Sequence, residues 1–500
     1  MKALSLSDIY LAGLPAGRVM NLSVHTHANQ HGYCHIVLEV SEQEKEDELL
    51  SWQQHEVKVY SKGELFFAGV VTDAAMKSVS GHKIVSVDLL SLSMKLDIKK
   101  KSRTFQALDK TLGEVAREIA SPYHAEVMVE NDMVISRMLY QKDETDWMFL
   151  RRLCESLGLV IFCDSSSTGI RLSLGFVPFR HYQCQGRMFK HGCRVSYFEV
   201  RRRQENTRKQ SRVDEFTDTK LNTDDLLPSA GYGLVQENRE QAVFDSRIRV
   251  KGDFLDNELL LRHKEGLCAI AAVQKNRWNK PCYIPGKVID VQGQQVKIKF
   301  DCDEVQDKAK ARWIPHENTV NNYMYSMPDI GDKAFTYFEE NGELVALGSH
   351  RGDLGDNMDY QNPENRNLTS ENQMIQFQPE STVCIAGRDG EQSSSIVGDT
   401  STGIKVISSE DIFIQTPQKI TFQAAKDSAE DKAVKLISGF DTGYTEYTGA
   451  GGVPLEQPYT LAVTGRIGVD SAAMNQASPA QEPVNKSQSV NSLNACAKGR

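Results

Sequence analysis

Five side chains near the N-terminus are of kinds that ligate zinc: His25, His27, His31, Cys34 and His35. Imidazole nitrogen and thiolate sulfur are that ion's usual donors, but they must converge on one point. His25, His27, His31 and Cys34 do not all fall on one face of an extended strand, where successive side chains alternate sides. Their spacing matches no recognised zinc module, and Asn29-Gln30-His31-Gly32 reads as the turn between two strands. A second set of candidates is acidic. Asp301, Asp303, Glu304 and the pair Glu339-Glu340 could supply the two carboxyl groups of a glycosidase. All of them sit in turn-like, polar surroundings that solvate a carboxylate. Nucleophile elbows (GxSxG), zincin helices (HExxH), Walker loops and dinucleotide fingerprints (GxGxxG) do not occur. The residue chemistry predicts no catalytic residue, no metal and no cofactor, hence a chain that is not an enzyme.

Composition narrows the class further. The apolar fraction of 40% and charged fraction of 25% are those of folded protein, and a net charge of -9 does not advertise a nucleic-acid or anionic-membrane partner. The basic run Lys99-Lys100-Lys101-Ser102-Arg103 reads as an exposed edge. Ten cysteines are scattered singly with no CxxC pair, which suits reduced, buried thiols. Ser7, Asp8, Gly13 and Pro15 interrupt the apolar N-terminus, and no run of eighteen apolar residues exists, so cytoplasmic synthesis and assembly are expected. A length of 500 residues calls for several domains.

The elements that must carry these residues are mostly strands. Apolar and polar residues alternate from Val19 to Val40, His55 to Tyr60 and Glu64 to Thr72, a spacing that suggests small β-barrels or sandwiches. Thr111 and Glu114 form a capping box before a helix that ends at Ser121-Pro122, and a second helix begins near Thr145 and stops at Gly158. Strand Leu159 to Cys163 follows. A charged loop is expected from Arg201 to Asp225, and a Leu- and Ala-rich helix from Asp253 to Asn276. Five short strands then begin at Gly286, with a turn at Gln292-Gly293 and further strands at Ala311 to Ile314, Ala334 to Phe338 and Leu344 to Leu347, which fits a Greek-key barrel of the OB kind.

Ile396, Ile404, Ile412 and Ile420 recur at eight-residue intervals, and Val406, Ile414 and Phe422 each follow two residues after one of them. Residues i and i+2 share a strand face, so each octad presents one narrow apolar edge that a single chain cannot bury. Three chains wound about a threefold axis can bury it, and these seven residues are the expected trimer core of a needle with a lead-in from Ile375.

Several segments resemble the VgrG-type spike proteins of type VI secretion systems and the late-control D hub proteins of contractile phage tails. Tyr140, Glu144, Asp146, Phe149, Leu150, Arg152, Leu153 and Gly158 lie in a segment close to the family's Y-x-E-[ST]-D-x-x-F-L-x-R-L-x-E-x-x-G-L run, and Leu65 to Gly69 and Met94 to Asp97 resemble two further hub segments. Gly286, Trp313, Pro328, Gly331 and Phe338 fall in its OB-domain motifs, although Ala334 and Thr336 replace larger β-branched residues there. The resemblance implies a hub-like domain over 1–245, with two β-barrel parts and an αβ insert at about 104–165. A helix and linker at 246–285, an OB-fold collar at 286–353, a lead-in and triple-stranded β-helical needle at 354–437 and a flexible tail at 438–500 would follow.

It further implies a homotrimer linking inner tube and baseplate proteins to a needle that pierces the target cell envelope on firing, assembled in the cytoplasm and delivered outward, with no nucleic acid bound. After His350 there is no histidine, so the point would come from a separate PAAR-like tip protein. Only a short stretch separates Ser349 from Ile375, too little for a lysozyme insert. The alternative is a spike whose tail carries an effector function or cargo.

Overall fold

The computed structural model describes residues 4–41, 52, 55–79, 82–183, 187–194, 212–236, 239–271, 283–317, 327–339, 343–350, 366–369, 372–378, 382–401, 403–410, 412, 435–440 and 443–448. The chain divides into two compact units, Met1–Arg351 and Gly352–Arg500.

Alternation of apolar and polar residues builds most of the first unit. In Gly17–His27, Leu22 and Val24 are buried, and opposite them Tyr33–Val40 buries Cys34, Ile36, Leu38 and Val40. These two strands lie inside a twelve-stranded sheet. Its path runs Ile9–Ala12, Glu56–Ser61, Glu64–Val79, His82–Ser91, Tyr33–Val40, Gly17–His27, Arg239–Lys251, Phe254–Arg262, Thr217–Thr223 and Arg187–Cys193; Gly233–Gln236 and His181–Tyr182 branch from Arg239–Lys251. The join between distant halves of the sequence is the pairing of Gly17–His27 with Arg239–Lys251, which sets His27 opposite Asp245. The two barrel parts expected of the hub are therefore stretches of one sheet.

Two predicted segments change type. Phe254–Arg262 is a strand where a helix was expected, Lys264–Ala271 is helical, and 272–276 lie outside the described residues. Its richness in leucine suggested a helix, but Leu255, Asn257, Leu259 and Leu261 are buried at period two between Arg239–Lys251 and Thr217–Thr223. The hub sheet thus continues past residue 245. Within the expected loop at 201–225, Thr217–Thr223 is likewise a strand, burying Thr219, Leu221 and Thr223; polar residues on that face disguised it.

The insert follows the sequence closely. Helix α1 (Leu112–Ala120) starts with the Thr111 hydroxyl accepting the Glu114 amide at 3.2 Å while the Glu114 carboxylate accepts the Thr111 amide at 2.8 Å. Helix α2 (Asp146–Ser156) is capped by Thr145 and ends before Gly158, whose φ of 73° suits a residue without a side chain. Both helices share a core with the three-stranded sheet of Ile161–Cys163, Arg171–Leu174 and Glu126–Val129.

Ile284–Gln292, Gln295–Phe300, Ile314–Glu317, Leu344–His350 and Lys333–Phe338 close into a barrel in that order. Neighbours are antiparallel except Ile314–Glu317 beside Leu344–His350, which run parallel. Ala311 to Trp313, expected in a strand, precede it; Ala311 instead closes a turn on Asp307.

In the second unit, Arg366–Thr369, Gln373–Gln378, Thr382–Asp389, Gln392–Asp399 and Gly403–Ser408 form a five-stranded antiparallel meander. Lys435–Phe440 and Gly443–Thr448 pair as a hairpin, so regular structure reaches into the stretch expected to be a flexible tail. No helix among the described residues is long and apolar enough to cross a membrane.

Candidate functional site

Asp146, at the first turn of α2, has a completely buried side chain. Its carboxylate accepts Lys101 Nζ at 2.6 Å, Arg103 Nη2 at 2.7 Å, Tyr123 OH at 2.7 Å and Gln141 Nε2 at 3.0 Å. Burial pushes this carboxyl upward, but the hydrogen bonds from Lys101, Gln141 and Tyr123 and the charge of Arg103 outweigh it and hold it below the ordinary aspartate value. Tyr123 is pushed up to about 12 by burial and by the same carboxylate. The rest of the hub motif is equally committed. Arg152 pairs with Glu144 at 2.6 Å, donates to the Tyr140 carbonyl at 3.0 Å and covers the Phe149 ring at 5.1 Å. Phe149, Leu150 and Leu153 are core residues. The motif is a brace whose charged members, Asp146, Glu144 and Arg152, are engaged by partners within the insert.

One grouping does have the order of an acid–base relay. Ser93 Oγ lies 2.8 Å from His31 Nδ1, and His31 Nε2 lies 3.3 Å from Asp97. Ser93 is only 3% exposed, which denies its hydroxyl to any substrate, and the His31 ring packs on Trp147 at 4.2 Å. Asp97 also accepts the hydroxyl of Thr145, the α2 cap. The relay ties the Asn29–Gly32 turn to the start of α2.

The remaining members of the histidine cluster go separate ways. His25 pairs with Asp245 at 2.8 Å, His35 with Asp88 at 2.7 Å, and His27 meets the Ala28 carbonyl. Burial lowers the pKa of His27 and raises that of Cys34. Among the described residues no group of three or more His, Cys, Asp or Glu side chains could hold a metal ion. Of the acidic candidates, Asp303 is held by the Thr104 amide at 2.7 Å and by its hydroxyl, Asp301 and Glu304 are exposed, and Glu340 lies outside the described residues.

The barrel motif residues shape the barrel. A Cβ on Gly286 would stand 2.5 Å from the Ile298 side chain, so the strands pass too closely there for any larger residue. Gly331 turns the chain at φ 99° and donates to the Val288 carbonyl. Lys297 Nζ lies 4.9 Å over the Trp313 ring and donates to the Lys308 carbonyl. Pro328 is buried, and Phe338 packs at the edge of the core.

The second unit presents a different feature. Leu368, Ile375, Ile385, Ile396 and Val406 stand directly opposite one another across all five strands. Each is 37–54% exposed. Beside them, Phe377 faces Val383, Val383 faces Gly398, and Gly398 faces Ile404, which is 80% exposed. Met374, Ala386 and Ser395, on the other face, are buried. Ile396 and Ile404 thus share a face on neighbouring antiparallel strands, one rung apart. Ile412 is also exposed, while Ile414, Ile420 and Phe422 lie outside the described residues.

The chain resembles VgrG-type spike and phage tail proteins. The c3393 protein of E. coli, described as a type VI secretion component similar in structure to the T4 tail proteins gp27 and gp5, shares 13% identity over 68% of this chain and 99% of its own, with a TM-score of 0.48. A tail protein of Neisseria meningitidis MC58 shares 11% over 54% of this chain and 98% of its own, at 0.38. A chain of the half-lidded Francisella PdpA-VgrG complex shares 9% over 78% of this chain and 84% of its own, at 0.47. Residues 15–173 match the family described as the Alg8 N-terminal domain. No curated protein sequence matches.

Sequence reasoning missed the connection between insert and barrel. Met138 and Tyr140 belong to the same apolar core as Val288, Val296, Ile298 and Phe300. Gln106 donates to the Ile298 carbonyl and its own carbonyl accepts the Arg312 amide. With Thr104 on Asp303, these contacts span about two hundred residues of sequence and leave no local signature beyond an apolar pair, Met138 and Leu139, ahead of the hub motif.

Proposed function

We propose that this chain is a structural subunit of the hub and central spike of a contractile injection machine, working as a homotrimer. The observation that carries the reading is the two-row apolar face on the five-stranded sheet. One chain leaves it in water, and three copies around a common axis bury it, which stiffens a shaft and makes its folding depend on assembly. The hub motif supports the same reading from the other unit, since its residues brace a rigid body and leave no reactive group exposed.

In this reading the barrel is an OB-fold collar, favoured by its five-strand closure with a single parallel pair. The twelve-stranded sheet and insert form the hub over 1–262, the collar spans 284–350, and the needle begins in the meander and continues through the octads, with Ile396, Ile404, Val406, Ile412, Ile414, Ile420 and Phe422 toward the axis. Inner tube and baseplate proteins bind the hub, a separate PAAR-like tip protein closes the needle, and residues 438–500 serve as an adaptor for cargo. The machine assembles in the cytoplasm and drives the needle into a target envelope.

Sedimentation velocity on the full chain tests the reading. The mass of three chains is expected at micromolar concentration, and a monomer whose second unit remains folded would overturn it.

A further inference from the structure

His316 lies two residues after Ile314 on the barrel strand Ile314–Glu317, so both side chains turn to the same side of the strand, Ile314 buried and His316 half-buried. Ile314 is fully buried, and Ala346, opposite His316 in the parallel pairing, is buried with it. Neither ring nitrogen of His316 reaches solvent, and neither has a hydrogen-bond partner. An interior imidazole normally satisfies at least one nitrogen, because a sealed, unpaired polar group costs its full desolvation.

Among the described residues no carboxylate stands within reach to compensate an imidazolium there. On the neighbouring strand Gln295–Phe300 the titratable groups are Lys297, whose amine is engaged by the Lys308 carbonyl and the Trp313 ring, and Lys299. Glu317, next on the same strand, points to the other side and lies 3.4 Å from the Tyr337 hydroxyl. On the parallel neighbour Leu344–His350 the residues paired with this strand, Ala346 and Leu347, are not titratable, and the strand's one titratable residue, His350, lies beyond that pairing. Burial alone lowers the pKa of His316.

The strand itself is short, and the His316 amide donates to the Gln294 carbonyl at 2.9 Å. Among the described residues it meets Gln295–Phe300 through Pro315 and Ile314, and Leu344–His350 through His316 and Glu317. We infer that His316 makes this seam acid-sensitive: a proton on the buried imidazole opens the Ile314–Glu317 strand and with it the core that Met138 and Tyr140 share. An opened strand exposes the ring to water, where it takes a proton in the ordinary histidine range, whereas the closed barrel refuses it until lower pH. The open form therefore binds more protons between those two values. The seam keeps its full stability above about pH 6.5 and loses it as pH falls below, by about tenfold in the opening equilibrium per pH unit until the closed form also titrates. This holds whatever machine the chain serves.

Hydrogen exchange on the full-length chain at pH 7.5 and 5.5, corrected for intrinsic rates, tests the inference. In the unsubstituted protein, amides of 294–300, 314, 316 and 317 are expected to lose protection, by up to about tenfold, relative to the hub strand Gly17–His27. His316→Phe, which cannot take a proton, should lose none. Unchanged relative protection in the unsubstituted protein, or an equal loss in the Phe variant, overturns the inference. If the Phe variant's barrel is already unprotected at pH 7.5, His316→Gln takes its place under the same criteria. If both are, the presence or absence of the loss in the unsubstituted protein decides.

Discussion

The αβ insert of the first unit and the meander of the second treat their side chains in opposite ways. Around Asp146 the chain buries a charge and then answers it four times from its own residues. Across the meander it lines up five large apolar side chains and covers none of them. A buried carboxylate without its partners could not persist, because desolvation would neutralise it or unfold its surroundings. An exposed apolar ladder persists in one chain because water tolerates it at a cost, and a second copy can remove that cost. The first pattern is satisfied within the chain; in the proposed trimer the second is finished by assembly.

The comparison breaks most visibly at its second half. Ile396→Asp puts a carboxylate at the centre of the proposed interface in every chain, a change of several kcal/mol on the order of a buried unpaired charge, so sedimentation should show monomers while the insert keeps its near-ultraviolet circular dichroism. An unaltered trimer would mean that another surface holds the chains together. Asp146→Ala leaves Lys101 and Arg103 facing each other without their anion, for a loss of about 3–5 kcal/mol in chemical denaturation. Oligomeric state should not change. Tyr140→Ala opens a cavity in the core shared by insert and barrel, at about 3 kcal/mol, and should lower protection in barrel and insert together. Thr111→Ala removes one half of a capping box and should cost about 1 kcal/mol.

Acid sharpens the first half. Asp146 and Asp97 are both held below the ordinary aspartate value, so the stability they contribute is fully present above about pH 4 and disappears as pH falls through their lower native values. In Asp146→Asn the urea midpoint should therefore drop less between pH 4.5 and pH 2.5 than in the unsubstituted protein.

Much of this fold was legible residue by residue. Thr111 and Glu114 announced α1, Thr145 and Gly158 bounded α2, and Gln292-Gly293 turned the first barrel hairpin, because caps and turns are satisfied within a few residues of themselves. Phe254–Arg262 misled because consecutive leucines fit both periods, and the pairing that selected period two comes from Thr217–Thr223 and Arg239–Lys251. Among candidate site residues, the hub motif was visible as a pattern, but its purpose was not. That Asp146 would be buried depended on Lys101 and Arg103 arriving on a strand more than forty residues earlier.

By itself, then, the sequence determined most strand and helix periods, though not that of Phe254–Arg262, together with the caps, the turns and the presence of apolar octads, which are settled by neighbours along the chain. The tertiary structure alone decided that His27 faces Asp245, that Thr104 reaches Asp303, and that Ile385, Ile396 and Val406 align into one exposed row. Those outcomes rest on register between distant strands, where a shift of one residue would turn every side chain to the opposite face.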